Sequence, residues 1–395
     1  MREGWKRAPM GELCTITSGK SNTQDAVDDG EYAFFDRSKT PKRSSRYLYD
    51  QEALIIPGEG TEFIPRHFIG KFDLHQRAYA LFDFTPEVDV RYLYYYLIFF
   101  KDWFVREAVG ATVKSLRRRH FTELPVVVAP IAEQKRIVAI LDEAFEGIDG
   151  AVANAERNLA YVFELFESYL NSIFRLSGDR ESDSIPLSQI LAAQPRNGWS
   201  PPAKYQTGSG NPVLTLSSVT GFRFDGSKVK WSSAPTHSGA HYWLRPGELL
   251  MTRSNTRDLV GHVAIYDGGL DNVICCDLIM KMTVDPAAAS ARFVYYWLRS
   301  ARMRDYITSR ATGASSTMKK IRKSVVQGIP VPHLPLDTQH EIVEACDDLS
   351  RSTSELAVHY ERKLANLSEL RQSILQKAFS GKLTAKEVDK EMAAA

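Results

Sequence analysis

QKRIVAILDEAFEGIDGAVANAERNLAYVFELFESYLNSIF, residues 134–174, lies without a gap over QHEIVEACDDLSRSTSELAVHYERKLANLSELRQSILQKAF, residues 339–379, at an offset of 205. Identical pairs include Gln134/Gln339, Ile137/Ile342, Val138/Val343, Asp142/Asp347, Glu156/Glu361, Arg157/Arg362, Leu170/Leu375 and Phe174/Phe379. Apolar residues fall at 137, 141, 144, 148, 151, 155, 159, 162, 166, 170 and 173 in the first copy. In the second they fall at 342, 346, 349, 356, 364, 367, 370, 374 and 378, with Thr353 and Tyr360 filling gaps. Steps of three and four over some forty residues predict a long helix with one apolar stripe. Both copies share an off-heptad pair of four-residue steps (151–155–159 and 356–360–364), so the two stripes are expected to face each other. Pro130 with Glu133 marks the first start; Pro335 with a Thr338–Glu341 capping box marks the second.

Working outward, each helix follows a globular stretch that reads as mainly β. Leu54-Ile55-Ile56, Val213–Leu216, Leu249–Thr252, His262–Tyr266 and Val273–Met282 are short apolar or alternating runs between turn signals. Each stretch closes in the same way. An aromatic segment (YLYYYL at 92–97, FVYYWL at 293–298) leads through a helical stretch to a Gly110-Ala111-Thr112 or Gly313-Ala314-Ser315 loop. A basic cluster follows, then Leu124-Pro125-Val126 or Ile329-Pro330-Val331. The chain is one unit written twice: a globular stretch at 1–130, a long helix at 131–176, a polar linker at 177–185, a second globular stretch at 186–332, a second helix at 333–379 and a tail at 380–395. The expected fold class is α+β, two mainly-β domains separated by two long antiparallel coiled-coil helices in a pseudo-two-fold repeat.

A chain of 395 residues buries two or three cores. No apolar run is long enough to span a bilayer and the first residues, MREGWKRAPM, lack an apolar signal region. Cys14, Cys275, Cys276 and Cys346 show no framework spacing, and reduced thiols in the cytoplasm are the expected reading. The net charge of +2 hides a division: the globular stretches sum to +9 and the repeated helices to −7. Basic surfaces joined by acidic struts suit a polyanionic partner.

Arg117-Arg118-Arg119 and Lys319-Lys320-x-Arg322-Lys323 occupy the same place in each unit, with Lys114 just before the first. Phosphates require repeated Lys and Arg on one surface, and recurrence at matched positions favours that over a merely solvated face. Arg37-x-Lys39-x-x-Lys42-Arg43-Ser44-Ser45-Arg46 reads as a loop able to enter a groove, or as an exposed loop. Arg253-Ser254-Asn255-Thr256-Arg257 offers Asn for adenine and Arg for guanine, or forms a polar turn satisfying its own backbone. Lys228 and Lys230, beside Trp231, are weaker candidates. Catalytic signals are sparse. Ser18-Gly19-Lys20-Ser21 lacks the first glycine and the strand-to-helix context of a phosphate loop and reads as a turn. His237 and His241 are separated by Ser-Gly-Ala, which argues for a loop rather than a zinc site, and Cys275-Cys276 reads as part of a buried strand.

Two β-rich units, each ending in a Pro-rich entry to a long helix, resemble a specificity subunit of Type I restriction-modification systems. PVVVAPIAEQ at 125–134, PVPHLPLDTQ at 330–339, the Gly-Ala-Thr and Gly-Ala-Ser loops, RSNTRDLVGHVAIYD at 253–267 and AFSGKLT at 378–384 carry the likeness. Thr338 departs from it, standing where the first copy has Glu133. The resemblance implies a chain without its own catalysis or cofactor, whose two target recognition domains each read half of an asymmetric, bipartite double-stranded DNA site. It implies helices that set the spacing and dock two methyltransferase subunits, which bring S-adenosylmethionine and methylate adenine. Translocase/nuclease subunits using ATP and Mg would join for cleavage. A helix of about 44 residues, roughly 65 Å long, is ample for sites one turn of DNA apart. Alternatives left open are a specificity subunit whose partner fuses methyltransferase and nuclease, a coiled-coil scaffold that binds no DNA, and an enzyme with an unrecognised site.

Overall fold

The structure is a computed structural model and is described for residues 2–178, 184–313 and 318–384. Part of the linker, Ala314-Ser315 of the second loop and most of the tail lie outside the described residues. The described residues divide into two compact units, one holding residues up to Glu156 and from Glu361 onward, the other holding Arg157–Tyr360.

The first unit contains strands β1 (Lys6–Pro9), β2 (Thr15–Ser18), β3 (Tyr32–Phe35), β4 (Lys42–Ser44), β5 (Tyr49–Pro57), β6 (Arg66–Leu74), β7 (Ala78–Phe82) and β8 (Pro125–Val128). Its short helices are α1 (Met10–Leu13), α2 (Val90–Phe99), α3 (Lys101–Glu107) and α4 (Arg118–Thr122). Six strands form a sheet in the order β2-β7-β5-β6-β3-β4, antiparallel except between β3 and β6. The aromatic segment is itself helical, as α2, and it leads into a second helix, α3, before the glycine loop. Asp89 caps α2 by accepting the Tyr92 N–H, at 3.1 Å, and Tyr92, Tyr95 and Tyr96 turn inward. Buried phenols need acceptors, and Tyr92 and Tyr96 donate to the carbonyls of Val127 and Pro125, each at 2.7 Å.

Both long helices are present as α5 (Ile131–Gly178) and α9 (Leu336–Phe379), and each contributes to both units. In the first unit, Ile137, Leu141, Phe145 and Ile148 share a core with Leu375, Ala378 and Phe379, so the start of α5 meets the end of α9. Arg371 reaches back to pair with Asp149 and lies over the Phe145 ring. In the second unit, Phe166, Leu170 and Phe174 share a core with Ile342, Val343 and Cys346, the converse pairing. Both stripes therefore face each other, antiparallel as expected. Four positions depart from the expected stripes: Phe145 and Phe174 are buried where Ala144 and Ile173 were expected, and Leu356 and Leu370 are 45% and 47% exposed while Ala357 and Leu375 are buried. α9 begins directly after Pro335, which leaves Thr338 in its first turn instead of at its cap.

The second unit contains β9 (Ser184–Pro186), β10 (Arg196–Asn197), β11 (Gln206–Leu214), β12 (Val229–Ser232), β13 (Leu249–Thr252), β14 (Ser254–Asn255), β15 (Val263–Ile265), β16 (Ile279–Met282), β17 (Lys319–Lys320) and β18 (Pro330–Pro332). Helices α6 (Ala291–Arg299), α7 (Ala301–Arg310) and α8 (Lys323–Gln327) complete it. Its main sheet runs β10-β16-β13-β15. Val273–Leu278 is not the first half of a strand: Ile274 makes only isolated bridges, and Cys275 and Cys276 are buried in the turn entering β16.

Residues identical in the two helix copies lock each helix to its own globular part. Gln134 is fully buried; its amide donates to Glu87 O and Ala129 O and accepts the Asp89 N–H. Gln339 donates to Leu334 O and accepts the Ser290 N–H. Asp142 accepts from Arg91 and Tyr95, and Asp347 accepts from Arg292 and Tyr296. Glu133, which has no counterpart at Thr338, instead ties the termini of the first unit: it pairs with Arg2 at 3.1 Å and accepts from Thr384 of the AFSGKLT segment.

Candidate nucleic-acid interface

Two sequence clusters separated by more than sixty residues meet in the second unit. β14 pairs with β17, placing Ser254 opposite Lys320 and Asn255 opposite Lys319. Arg253 holds the joint through its backbone: its N–H donates to Leu278 O at 2.8 Å and its carbonyl accepts the Ile321 N–H at 3.0 Å. The first unit repeats this pattern bond for bond. Gly58 N–H donates to Arg77 O at 2.8 Å, Gly58 O accepts the Leu116 N–H at 2.8 Å, and Gly60 N–H donates to Lys114 O at 3.0 Å. Gly58-Glu59-Gly60 thus stands where Arg253-Ser254-Asn255 stands, and Lys114 where Lys319 stands. Gly110 and Gly313, at φ 129° and 146°, turn the chain into this ladder in a region that side chains avoid.

Beyond each ladder the cations are solvent-facing. Arg117, Arg118 and Arg119 open α4 and are exposed, as are Lys320, Arg322 and Lys323 at the entry to α8. Lys114 and Lys319 keep their ammonium groups near the turn, donating to Ala108 O at 3.4 Å and Gly313 O at 2.7 Å. Lys230 is exposed on β12 and Lys228 is exposed just before it. Arg257 is exposed and Asn255 half-buried, its Oδ1 accepting the Thr256 N–H at 2.9 Å. Ser254 is buried, so its hydroxyl does not reach solvent in this conformation.

The basic run at 37–46 is put to mixed use. Lys42 pairs with buried Asp36 at 2.7 Å; Arg43 donates to the carbonyls of Gly30 and Glu31; Arg46 donates to Ser21 and pairs with Asp25. These three cations and Ser44, which donates to buried Asp73 at 3.0 Å, hold the segment down as strand β4 instead of a free loop. Arg37 and Lys39 remain exposed, with only a 3.8 Å approach of Lys39 to Glu62.

Three features went unread in the sequence. A cavity of about 220 Å³ in the first unit is lined by Asp36, Arg37, Glu59, His75 and Arg77. One of about 340 Å³ in the second is lined by Leu216, Lys230, Trp231, Cys276 and Leu278. A third, of about 870 Å³, has Arg196, His241 and Arg245 on its walls, and the ion pair of Lys281 with Glu248, at 2.8 Å, also lines it. Each draws isolated residues from distant segments, which no linear motif signals. Asp36 stays below its ordinary pKa although burial opposes this, because Lys42 and the Ser38 N–H hold the anion. Burial depresses His75.

Other chemistry finds little support. Burial pushes the thiols of Cys14 and Cys346 up to about 12 and that of Cys276 to about 11, which keeps them protonated. Among the described residues no group of three His, Cys, Asp or Glu side chains gathers to hold a metal. The Ser18–Ser21 turn spends its amides internally: Gly19 N–H bonds Ala78 O, and Lys20 and Ser21 N–H both bond Leu74 O. No phosphate cradle is left there. Among the described residues no helix is long and apolar enough to cross a membrane.

The chain is a duplicated α+β structure in which an equivalent, cation-flanked ladder stands at the same place in both copies. Residues 2–150 match the family described as Type I restriction modification DNA specificity domain. The chain is similar to the Type I restriction enzyme EcoDI specificity subunit of Escherichia coli, 23% identical over 96% of this chain and 89% of that one. It is also similar to the StySPI specificity subunit of Salmonella potsdam, 23% identical over 97% of this chain and 90% of that one. A solved chain from work on complex assembly and conformational transition of the type I R-M system shares the fold, with a TM-score of 0.70 at 17% identity over 97% of this chain and 99% of that one. These relatives are specificity subunits, and the expectation of a chain without catalysis of its own agrees with them.

Proposed function

We propose that the chain is the DNA-reading subunit of a Type I restriction-modification complex, acting in the cytoplasm. Each recognition domain reads one half of an asymmetric, bipartite site. The observation that carries this reading is the recurrence of the ladder. Lys114 and Lys319 pair with equivalent segments in both units, and exposed Arg117–Arg119 or Arg322-Lys323 follow. Clustered cations beside backbone-fixed polar residues provide phosphate anchoring next to base contact. The candidate contacts are Arg37, Lys39, Lys114 and Arg117–Arg119 in the first unit. In the second they are Lys228, Lys230, Arg253, Asn255, Arg257, Lys319, Lys320, Arg322 and Lys323. Lys42, Arg43, Arg46 and Ser254 serve the frame beneath them.

The long helices set the distance between half-sites and dock two methyltransferase subunits. Tyr161, Phe163, Leu165, Leu356 and Val358 support the docking role, since all are about half exposed on helices whose outer faces are otherwise acidic. S-adenosylmethionine, ATP and Mg belong to the partner subunits. The test is long-read methylation mapping of DNA from cells expressing this chain with its methyltransferase, beside cells lacking this chain. The expected outcome is a new asymmetric adenine-methylation motif of two short half-sites around a fixed gap. An assembled complex that methylates no new motif overturns the reading.

A further inference from the structure

The cavities of about 220 and 340 Å³ occupy the same place in the two units and have opposite chemistry. The hydrogen bonds of Gly58 to Arg77 and of Arg253 to Leu278 make Arg77 the counterpart of Leu278. Two residues earlier, His75 accepts the Ala78 N–H as Cys276 accepts the Ile279 N–H. The parallel registers of Phe34 with Asp73 and of Val213 with Ile274 then set Asp36 and Arg37 opposite Thr215 and Leu216. Four matched wall positions are therefore Asp, Arg, His and Arg in one unit and Thr, Leu, Cys and Leu in the other.

The partner that suits the second cavity must be polyanionic around it and apolar within it. Lys230 stands on its rim, Lys228 is two residues before it, just ahead of the strand, and Leu278 is bonded directly to the backbone of Arg253. Trp231 lies against the cavity with 40% of its surface still exposed. In a DNA major groove the apolar protrusion is the 5-methyl group of thymine. We infer that the second unit reads a thymine of its half-site through that methyl, seated between Leu216, Leu278 and Trp231. The first unit, with Arg37 and Arg77 in the same place, reads a base by hydrogen bonds instead. This rests on the proposed DNA reading.

The test uses the assembled complex of this chain with its methyltransferase and a duplex carrying its motif. Each thymine is replaced in turn by deoxyuridine, which removes only the methyl, and binding is measured by competition. Burying one methyl corresponds to about a fourfold change in affinity. The expected result is one thymine whose replacement weakens binding about fourfold or more, with that sensitivity lost in Leu278→Arg. Replacements that all leave binding within 1.5-fold, or a sensitive thymine whose effect survives in Leu278→Arg, overturn the inference; the former needs no variant to fold. Failure of the wild-type complex to prefer the unmodified duplex over unrelated DNA overturns the DNA reading itself, and is seen before any uracil is introduced.

Discussion

In the first unit, Asp36, Arg37, His75 and Arg77 enclose a polar hollow beside the turn at Gly58. In the second, Thr215, Leu216, Cys276 and Leu278 enclose an apolar one beside Arg253. Several main-chain hydrogen bonds beneath the two correspond one to one, whereas none of the four matched wall side chains does. The frame is fixed by main-chain bonding and by the helix-joint residues Gln134/Gln339 and Asp142/Asp347, which lie away from the hollow. Its wall positions are thereby free to carry any chemistry. A chain built in this way changes what it reads without changing how it folds.

That separation is broken most directly at Gly19 and Gly198. A Cβ on Gly19 would sit 1.9 Å from Leu74 O, and one on Gly198 would sit 1.9 Å from Cys275 O. Both obstacles are backbone, and both glycines donate to equivalent carbonyls, those of Ala78 and Ile279. Alanine at either position forces two chain segments apart and is expected to cost about 3 kcal/mol or more. Urea titration of each variant checks this. Similar losses at both sites support a common frame; a mild effect at one shows that the frames differ there. The same experiment explains the glycine of Ser18-Gly19-Lys20-Ser21, which serves close approach and not phosphate binding.

The helix joint sharpens the comparison at the next level of energy. Gln134→Ala removes three hydrogen bonds from a site with no exposure, and Gln339→Ala removes two from a site 2% exposed. Unsatisfied buried partners cost about 1–3 kcal/mol each where no water enters. The first variant is expected to lose about 2–3 kcal/mol and the second about 1 kcal/mol less, by the same titration. Equal losses would mean that the Glu87 carbonyl, the extra partner in the first unit, finds solvent when its donor is gone.

How much of this was legible follows from register. The helices were readable because their apolar residues repeat every three or four positions and the two copies keep one offset of 205. Gln134/Gln339 and Asp142/Asp347 could be seen as identities, though not as locks, because their partners stand at another offset, 201 at Arg91/Arg292 and Tyr95/Tyr296, and the alignment of the helices at 205 does not bring them together. The hollows were hidden because the offset slides along the chain. It is 179 at Gly19/Gly198, 195 at Gly58/Arg253, 201 at Ala78/Ile279 and 205 at Lys114/Lys319. Insertions between strands absorb the difference, so equivalent wall residues never align by eye. The run at 37–46 misled for another reason: charge density does not reveal that Asp36, Asp25 and Asp73 lie within reach of Lys42 and Arg46.

The smallest expected difference between the units is in acid. His262 is buried in the second unit, stacked 4.0 Å from Phe222, with Nδ1 accepting the Gly221 N–H and Nε2 facing Asp258 O. Burial, with Arg304 and Arg299 nearby, lowers its pKa from 6.5 to about 4. Protonation would set a new N–H against the Gly221 donor, so the folded state resists it. A depressed folded pKa means that the unfolded chain takes up the proton first as pH falls. The stability contributed is whole above pH 6.5 and is lost progressively down to about pH 4. At pH 5.5 the loss is about 1 kcal/mol. By the strand registers of Leu250 with Ala264 and Ile55 with Arg66, the matching position in the first unit is Ile64, which does not titrate. Amide hydrogen exchange at pH 7, 6 and 5 is therefore expected to accelerate first around Gly221, Thr252 and Val263. Earlier acceleration in the first unit would instead assign the acid response to His75 and His120, whose pKa values burial also lowers.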